Sequence, residues 1–231
     1  MSRLRVMSYN TRDLQDDVAA AVRLVRDLDP DVLCLQEVPR RIGSPWRVRH
    51  LAARCGLEWT GPPWRSGGTT IFVAPRARLW GAAHYGLPVP VPVRRRGYAV
   101  ARVGLPGEPP VTAVSVHLSL DAAERARHAS RILERVSGRG PVVLAGDLNE
   151  DERGAAWQQV ARELRVVSPP DPTYPARAPH RRLDVVFASP GLCVLPHGPV
   201  PLDPQDLAVG SDHRPVWVDL DPASVDAASL A

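Results

Sequence analysis

The sequence predicts an α/β domain in which helices pack against a parallel sheet. Residues 3–8 alternate polar and apolar side chains, and residues 31–36 form a short apolar run that is typical of a buried strand. Between them, residues 16–28 carry apolar side chains at helical spacing, and Pro30 stops the helix. This β–α–β order favours a parallel sheet. With 231 residues, 44% of them hydrophobic, the chain can form one domain over residues 1–231 with a sizeable core.

The rest of the chain continues as short strands and amphipathic helices. A helix is predicted from Asp121, which can cap it, to about Val136. Two proline-rich stretches, 86–96 and 168–179, are predicted as extended surface loops rather than domain linkers. The other predicted strands lie at 69–74, 98–103, 111–117, 141–146, 182–188, 192–195 and 215–220, and the other predicted helices at 46–54 and 155–164.

The charge of the chain leaves two interpretations of its partners open. The net charge is +4, and the chain contains no lysine, so that all 29 basic residues are arginine. A basic balance suits an anionic partner such as nucleic acid, a phosphoinositide or an anionic membrane surface. The alternative is a compositional bias in a chain that is also rich in alanine, proline and valine. Overall charge therefore favours a polyanionic substrate only weakly.

Two further features of the composition limit the class of protein. No apolar run approaches the roughly 20 residues that span a bilayer, and the N-terminus lacks the apolar segment of a signal peptide, so we expect a cytoplasmic location. The three cysteines, Cys34, Cys55 and Cys193, are far apart and form no CxxC pair, which argues against a zinc site or a disulfide framework. Nothing in the sequence indicates a partner protein.

Polar residues recur where the predicted apolar strands end. A core strand that ends in Glu, Asp, Asn or His is a common way to build a rigid site. A single such residue is usually an exposed charge or a turn residue, but five groups at five strand ends favour a common site. The groups are Ser8-Tyr9-Asn10, Gln36-Glu37, His117, Asp147-Leu148-Asn149 and Ser211-Asp212-His213.

The carboxylates of this set suit hard metal ions. Glu37 and Asp212 offer oxygen ligands of the kind that Mg²⁺ or Mn²⁺ prefers. Asp147 and Asn149 are two residues apart after a strand, so one could orient or deprotonate a water while the other holds a phosphate oxygen. The alternatives are two exposed strand-end charges and an Asx turn.

The histidines and one further aspartate complete the predicted chemistry. His117 and His213 could donate to a phosphate oxygen and stabilise the charge that develops in the transition state. Asp184 could accept a hydrogen bond from one imidazole nitrogen, which would fix the tautomer of that ring and raise its basicity.

Taken together, these motifs resemble the endonuclease/exonuclease/phosphatase family, which includes DNase I, the AP endonucleases, the inositol polyphosphate 5-phosphatases and the neutral sphingomyelinases. The motifs stand in the family's order from Asn10 to His213. The resemblance implies a four-layer α/β sandwich, in which two mixed β-sheets pack face to face between flanking helices. It also implies a hydrolase of phosphate esters. The six motifs are Ser8-Tyr9-Asn10, Leu35-Gln36-Glu37-Val38, Val116-His117-Leu118, Gly146-Asp147-Leu148-Asn149, Arg182-Leu183-Asp184 and Ser211-Asp212-His213-Arg214-Pro215.

The resemblance assigns a metal site and an expected cofactor. Glu37 resembles the principal ligand of the family's divalent ion, with Asn10 and Asp212 close by. Mg²⁺ is the expected ion and Mn²⁺ an alternative. Whether one or two ions act stays open.

The resemblance also assigns the catalytic roles. Asp147 resembles the residue that orients or activates the attacking water, and Asn149 its partner in holding the phosphate. His213 resembles the histidine at the scissile phosphate, oriented by Asp184. His117 matches the branch of the family that carries a histidine at this place.

The substrate is the least determined part of the prediction. Candidate contacts are Arg96, Tyr98, Tyr174 and Arg182, because arginines beside aromatic rings suit phosphates and bases. A nuclease or related phosphodiesterase is placed slightly ahead of an enzyme for inositol phosphates or phospholipid head groups. A catalytically inactive binding protein of the same fold is the third hypothesis. The remaining candidate contacts are Trp64, Arg65, Arg94, Arg95, Thr173, Pro175 and Arg181.

Overall fold

The computed structural model describes residues 2–40, 43–61, 66–89, 95–196 and 198–224. The helices are α1 Val18–Leu28, α2 Ser44–Cys55, α3 Ala122–Val136, α4 Ala155–Glu163 and α5 Pro204–Val209, with 3₁₀ turns at Arg12–Leu14 and Pro222–Ser224. The strands are β1 Leu4–Asn10, β2 Val32–Gln36, β3 Glu58–Trp59, β4 Thr70–Val73, β5 Arg78–Leu87, β6 Arg96–Gly104, β7 Val111–His117, β8 Val142–Asp147, β9 Arg165–Val166, β10 Asp184–Ala188, β11 Cys193–Leu195 and β12 Val216–Asp221.

The strands form two six-stranded sheets that pack face to face. The first has the order β11-β12-β1-β2-β4-β3, and the second has the order β5-β6-β7-β8-β10-β9. Small and β-branched side chains such as Val6, Val32, Ala113 and Ala145 fill the space between the sheets. This arrangement confirms the four-layer sandwich that the family resemblance implied.

The helices cover the outer faces of the two sheets. Residues of α1 and α2 pack on the far side of β1 and β2, around Met7 and Leu33. Residues of α3 and α4 pack on the far side of β7, β8 and β10, around Val114 and Phe187. Asp121 caps α3 as predicted, because its side chain accepts a hydrogen bond from the backbone N–H of Glu124 at 2.8 Å.

The single parallel sheet expected from the first β–α–β segment is wrong. Among the described strands, each sheet contains one parallel pair, β1 with β2 and β7 with β8, and the other pairs are antiparallel. The reason is physical: central strands of a four-layer sandwich are buried on both faces, as parallel strands are. Their apolar runs therefore do not indicate strand direction.

Several elements were absent from the sequence prediction. Strand β5 is ten residues long, but it is largely exposed and contains two glycines and two alanines, so it lacks the β-branched residues that mark strands. It also continues to Leu87, inside the stretch 86–96 that was predicted as a loop. The short elements α5, β3 and β9 were missed as well. No described helix has the length and apolarity that crossing a membrane requires.

Candidate active site

The alternation of side chains along the strands brings the predicted residues together. In β1 and β8, Val6 and Ala145 point into the space between the sheets. Asn10 and Asp147 stand an even number of residues further on, so they share that face. Both lie at the ends of their strands, where the inter-sheet core stops. The side-chain amide of Asn10 donates to Asp147 Oδ2 at 3.0 Å, which joins the two sheets at this edge.

Asp147 Oδ2 is the atom around which the other groups converge. It lies 3.5 Å from Nε2 of His117 and 3.9 Å from Nε2 of His213. His117 Nε2 is also 3.9 Å from Oε1 of Glu37, which follows β2 in the first sheet. The structure therefore brings Asn10, Glu37, His117, Asp147 and His213 to one edge of the sandwich.

His213 is held by Asp184 in a buried pair. Nδ1 of the ring lies 2.7 Å from Asp184 Oδ2, and the hydroxyl of Thr173 donates to the same oxygen at 2.6 Å. Burial by itself lowers the pKa of His213, but the charge of Asp184, its hydrogen bond and the charge of Asp147 outweigh burial and raise the pKa to about 10. These neighbours therefore favour the protonated ring, and its Nε2 lies 3.9 Å from Asp147 Oδ2.

Asp147 itself is fully buried, and its environment makes it a stronger base. Burial, followed by the nearby charge of Asp184, raises the pKa of Asp147 from 3.8 to about 6. The charge of His213 and the hydrogen bonds from Asn149 and Asn10 oppose this rise. A carboxylate whose pKa lies near neutrality suits proton acceptance.

The turn after β8 fixes Asn149 beside Asp147. The backbone N–H of Asn149 donates to Asp147 Oδ1 at 2.8 Å, so the Asx turn weighed in the sequence analysis is present. The side-chain amide nitrogen (Nδ2) of Asn149 donates to the backbone carbonyl of Leu118 at 3.0 Å. This bond ties the turn to the end of β7, the strand that carries His117.

The backbone at Glu37 is left-handed, with φ at 52°, a conformation that a non-glycine residue adopts at a cost. Two hydrogen bonds impose it. The carbonyl of Glu37 accepts from the N–H of Asp13 at 2.6 Å, and the N–H of Val38 donates to Gly68 at 2.9 Å. As a result, the Glu37 side chain leaves the strand and reaches the site, where it is 19% exposed.

Asp212 lies at the rim of the site rather than at its centre. Its Oδ2 lies 3.4 Å from Nε of Arg12. The neighbouring hydroxyl of Ser211 donates to the backbone carbonyl of Asn10 at 2.7 Å, so the loop that carries Asp212 is joined to the end of β1. The N–H of Arg12 donates to the side-chain oxygen of Asn10 at 3.1 Å.

The donor set fits a hard divalent cation. Oxygens of Glu37, Asn10 and Asp147 lie at this edge of the sandwich, with Asp212 at the rim. Carboxylate and amide oxygens suit Mg²⁺ or Mn²⁺. Asp147, Asp184 and His213 each offer a ligand atom within 4.8 Å of the others. The short contact between His213 Nδ1 and Asp184 Oδ2 is a hydrogen bond, however, so that pair is better suited to orienting the histidine than to binding an ion.

The predicted substrate contacts separate into two groups. The ring of Tyr174 lies 4.9 Å from that of His213, so the loop before Asp184 borders the site as expected. The Arg181 guanidinium lies 6.0 Å from the Tyr174 ring.

The other predicted contacts are not brought to the Asp147 cluster. Tyr98 and Arg96 are buried and share the outer face of β6, opposite to the face of the neighbouring strand that carries His117. Arg182 donates to the carbonyls of Ser168 and Pro169 and lies over Trp157. Packing accounts for these three placements, and their role in substrate binding stays a prediction. Trp64, Arg65 and Arg94 lie outside the described residues.

Arg12 and Thr173 have positions at the site that the sequence motifs did not single out. Arg12, Asp13 and Leu14 all have positive φ, and this left-handed turn places Arg12 against Asp212. Its sequence contains no glycine that would have indicated such a turn. Thr173 was one member of a predicted loop, and nothing in the sequence paired its hydroxyl with Asp184.

Fold and site together define a DNase I-like four-layer protein with an acidic, histidine-containing cluster at one edge. The sequence model of the endonuclease/exonuclease/phosphatase family matches residues 7–213. The chain belongs to this family.

Solved structures of the same fold are numerous. An endonuclease/exonuclease/phosphatase from Beutenbergia cavernae is 25% identical, with a TM-score of 0.74, covering 96% of this chain and 72% of its own. A mannosyl-6-phosphatase from Bacteroides thetaiotaomicron is 18% identical, with a TM-score of 0.68 and coverages of 94% and 99%. D. rerio TDP2 complexed with single-strand DNA product is 18% identical, with a TM-score of 0.67 and coverages of 96% and 100%. A comparison with curated proteins gave no match.

Proposed function

We propose that this protein is a divalent-metal-dependent phosphodiesterase that cleaves its substrate with a water molecule. The main support for the proposal is the set of polar groups that surround Asp147 Oδ2. A buried carboxylate is hydrogen-bonded to Asn10 and faces Nε2 of His117 and of His213. A water and a phosphate group that enter this edge meet a base and two imidazole donors together, which is the toolkit that phosphoryl transfer requires.

Each residue of the site has its own role in the proposed in-line displacement at phosphorus. Asp147 orients the attacking water and accepts its proton as the water oxygen bonds to phosphorus. The ester P–O bond breaks in the same displacement, and the leaving oxygen takes a proton from solvent. His213 donates a hydrogen bond from Nε2 to a phosphate oxygen, and Asp184 holds the ring in that direction through Nδ1. His117 donates to a second phosphate oxygen, and Asn149 keeps the Asp147 carboxylate in place.

Glu37, Asn10 and Asp212 would hold the metal ion, for which Mg²⁺ is the first candidate and Mn²⁺ the second. The bound ion supplies positive charge that stabilises the transition state and orients the phosphate. All three residues lie at the edge of the first sheet, across from Asp147 in the second.

Nucleic acid is the proposed substrate class. TDP2, a protein of similar fold, is described in complex with single-strand DNA product, and Tyr174 and Arg181 offer a ring and a guanidinium beside His213. The alternative is a smaller phosphate ester. The mannosyl-6-phosphatase of similar fold supports it, and it includes the inositol phosphates and phospholipid head groups considered from the sequence. A cytoplasmic location stays a prediction.

The test is hydrolysis of plasmid DNA and of bis-(p-nitrophenyl) phosphate with Mg²⁺ or Mn²⁺ by wild type, Asp147→Ala and His213→Ala. We expect each variant to lose roughly 10² or more in kcat/KM, which is typical when a general base or a charge-stabilising donor is removed. The matched controls are Asp27→Ala and His50→Ala, which remove exposed side chains of the same types from α1 and α2. They should retain wild-type rates.

The outcomes separate the hypotheses. Nicking of DNA that depends on Asp147 and His213 supports the nuclease. Cleavage of the diester without nicking moves the substrate to small or lipid phosphate esters. If wild type is inert on both substrates and on a wide panel of phosphate esters, the enzyme proposal fails and an inactive binding protein takes its place.

A further inference from the structure

The outer face of the second sheet carries a groove that the proposed chemistry does not use. Helices α3 and α4 cover β7, β8 and β10, whereas β5 and β6 extend beyond α3. Two open depressions of about 740 and 690 Å³ lie along this uncovered part and share Tyr85 and Arg139. We call this continuous depression, from Trp80 to Leu87 on one side and along α3 on the other, the α3 groove.

Four arginines line the α3 groove. Arg131 and Arg135 lie one turn apart on the C-terminal half of α3. Arg139 follows in the turn after the helix, where its Nε donates to the carbonyl of Arg135 at 2.7 Å. Arg102 faces them from β6. Glu134 is the one carboxylate among the described lining residues. The groove therefore concentrates positive charge in a concave surface.

The salt bridges in the described part of the chain lie outside the α3 groove. Several arginines elsewhere form salt bridges with carboxylates, for example Arg5 with Asp219 at 2.7 Å and Arg125 with Glu150 at 2.5 Å. Within the described part of the chain, no carboxylate forms a salt bridge with any of the four groove arginines. Like charges held together without a salt-bridged carboxylate repel each other, and an anionic ligand would relieve that repulsion.

Aromatic rings are interleaved with these charges. Tyr85 stacks on Tyr98 with 5.0 Å between the ring centroids, and the guanidinium of Arg135 covers Tyr85 at 4.9 Å. At the far end of the groove, Trp80 is 42% exposed, and Arg78 lies 5.0 Å from its ring. Rings alternating with guanidinium groups along an open groove are the features by which proteins bind single-stranded nucleic acid.

We propose that the α3 groove binds a single strand of nucleic acid, with its phosphates on Arg102, Arg131 and Arg139 and a base against Trp80. The distance along β5 from Trp80 to Leu87 is about 23 Å at roughly 3.3 Å per residue, which accommodates several nucleotides.

The groove also runs toward the candidate active site. Leu87 and Gly86 pair with the start of β6, and Gly97 of β6 pairs with His117. One end of the groove therefore reaches the edge of the second sheet at which the site lies, although on the opposite face. That the bound strand is also the substrate rests on the proposed function, whereas binding itself does not.

The decisive experiment measures the binding of a fluorescently labelled 20-nucleotide single-stranded DNA by anisotropy. Asp147→Ala, without added metal, serves as the background, so that cleavage cannot interfere. On this background the triple variant Arg102→Gln, Arg131→Gln, Arg139→Gln removes three groove charges. We expect at least a tenfold weaker affinity at moderate salt. The slope of log K against log[salt] should fall by about 2, since each lost phosphate contact contributes roughly 0.7 on a single strand.

The matched control removes the same charge from the opposite side of the molecule. Arg26, Arg49 and Arg54 are exposed on α1 and α2, which cover the first sheet, and their triple replacement by Gln should change the affinity less than twofold. Trp80→Ala should weaken binding about fivefold or more, because base stacking on an aromatic ring contributes at this level.

Three results would overturn the proposal: equal weakening by the two triple variants, no saturable binding of DNA, or binding of anionic lipid vesicles with none of DNA. Hydrolysis of bis-(p-nitrophenyl) phosphate, measured on both triple variants with Asp147 restored, separates this proposal from the proposed function. If wild type does not hydrolyse the diester, the proposed function fails while the binding result stands. If the groove triple variant hydrolyses it normally but binds DNA weakly, the groove is a separate binding site.

Discussion

At the scale of single residues, the site depends on one histidine that a buried carboxylate orients. Asp184 holds Nδ1 of His213, and the hydroxyl of Thr173 donates to the same oxygen of Asp184. In the proposed mechanism Asp184 is therefore a positioning residue that acts through His213. Such a positioning residue sets both the direction of the imidazole and its charge, because the negative partner favours the protonated ring.

The variant Asp184→Asn should therefore change the titration of His213. Loss of the negative charge removes the main influence that raises the pKa of His213, while burial, which lowers it, remains. We expect wild-type His213 to stay protonated from pH 5 to beyond pH 8 in metal-free protein. In the variant the pKa of His213 should be clearly lower than in wild type, although the charges of Asp147 and Asp212 still raise it. NMR of the imidazole Cε1–H resonance across this pH range measures both.

A control distinguishes this effect from a general disturbance. Asp171 is exposed on the same loop as Thr173, and Asp171→Asn should leave the His213 titration unchanged. Activity of Asp184→Asn on the diester should fall by roughly 10² in kcat, since the imidazole loses its orientation. A wild-type His213 that titrates at its ordinary pKa would contradict the buried pair.

The sequence identified the residues of the site better than their conformations. Asn10, Glu37, His117, Asp147, Asp184 and His213 were all proposed from their positions at strand ends and from the family motifs, and all of them converge. Their chemical roles stay predictions. The left-handed backbone at Glu37 and at Arg12–Leu14 could not be foreseen. It is imposed by hydrogen bonds from distant segments and not by local residue preference.

At the scale of elements, the close approach of β7 and β8 aligns His117 with Asp147. These strands are parallel, and His117 pairs with Asp147 directly after Val116 pairs with Gly146. The backbone of β7 comes close to Gly146 of β8, and this approach is possible because Gly146 has no side chain. A Cβ there would overlap the carbonyl oxygen of Val116 and would lie 2.7 Å from its Cγ2.

Gly146→Ala should separate these two strands. Because the overlap is with backbone in the centre of a sheet, it cannot be relieved by a side-chain rotation, and we expect a loss of about 1–3 kcal/mol in the free energy of unfolding. Activity should fall together with stability, because the strand ends that carry His117 and Asp147 of the candidate site both move. Urea denaturation and diester hydrolysis measure the two effects.

Gly81→Ala is the matched control. Gly81 lies in β5, and a Cβ there has no atom within 4 Å, so this variant should be as stable as wild type or slightly more stable. If both alanine variants had the same stability, steric contact between β7 and β8 would not be the reason for the glycine.

The burial of a strand determined whether the sequence predicted it. The central strands β7 and β8 were predicted close to their observed bounds because both of their faces are apolar. The edge strand β5 was missed because its side chains are largely exposed and hydrogen bonding to β6, rather than composition, makes it a strand. Whether two neighbouring strands pair parallel or antiparallel likewise depends on both strands, so the residues of one strand did not reveal it.

At the scale of the whole molecule, the residues of the candidate site connect the two sheets. Asn10 and Glu37 belong to the first sheet and Asp147 to the second, and the hydrogen bond from Asn10 to Asp147 crosses between them. Further inside the sandwich, the side-chain amide nitrogen of Gln36 on β2 donates to the hydroxyl of Ser115 on β7 at 3.2 Å. This hydrogen bond is a second polar link between the two sheets. Anything that binds Glu37 and Asn10 beside Asp147 therefore holds the two layers together.

Binding of the proposed metal should accordingly stabilise the entire fold. An ion that binds only the native state raises the free energy of unfolding by RT ln(1 + [L]/Kd), about 1.4 kcal/mol at ten times Kd. Thermal unfolding with increasing Mg²⁺ or Mn²⁺, against EDTA, should give a melting temperature that rises with metal concentration. Glu37→Gln should abolish this rise by removing the negative charge of the proposed principal ligand.

Glu58→Gln is the matched control, because Glu58 is exposed at the edge of the same sheet, on β3. It should keep the full metal-dependent rise, since it changes the net charge as Glu37→Gln does but lies on a strand without site residues. If both variants kept the rise, the metal would bind elsewhere and Glu37 would not be its ligand. If wild type gave no rise at all up to high metal concentration, the two sheets would not share a metal site. The carboxylates at their common edge would then have to act through Asp147 and the histidines alone.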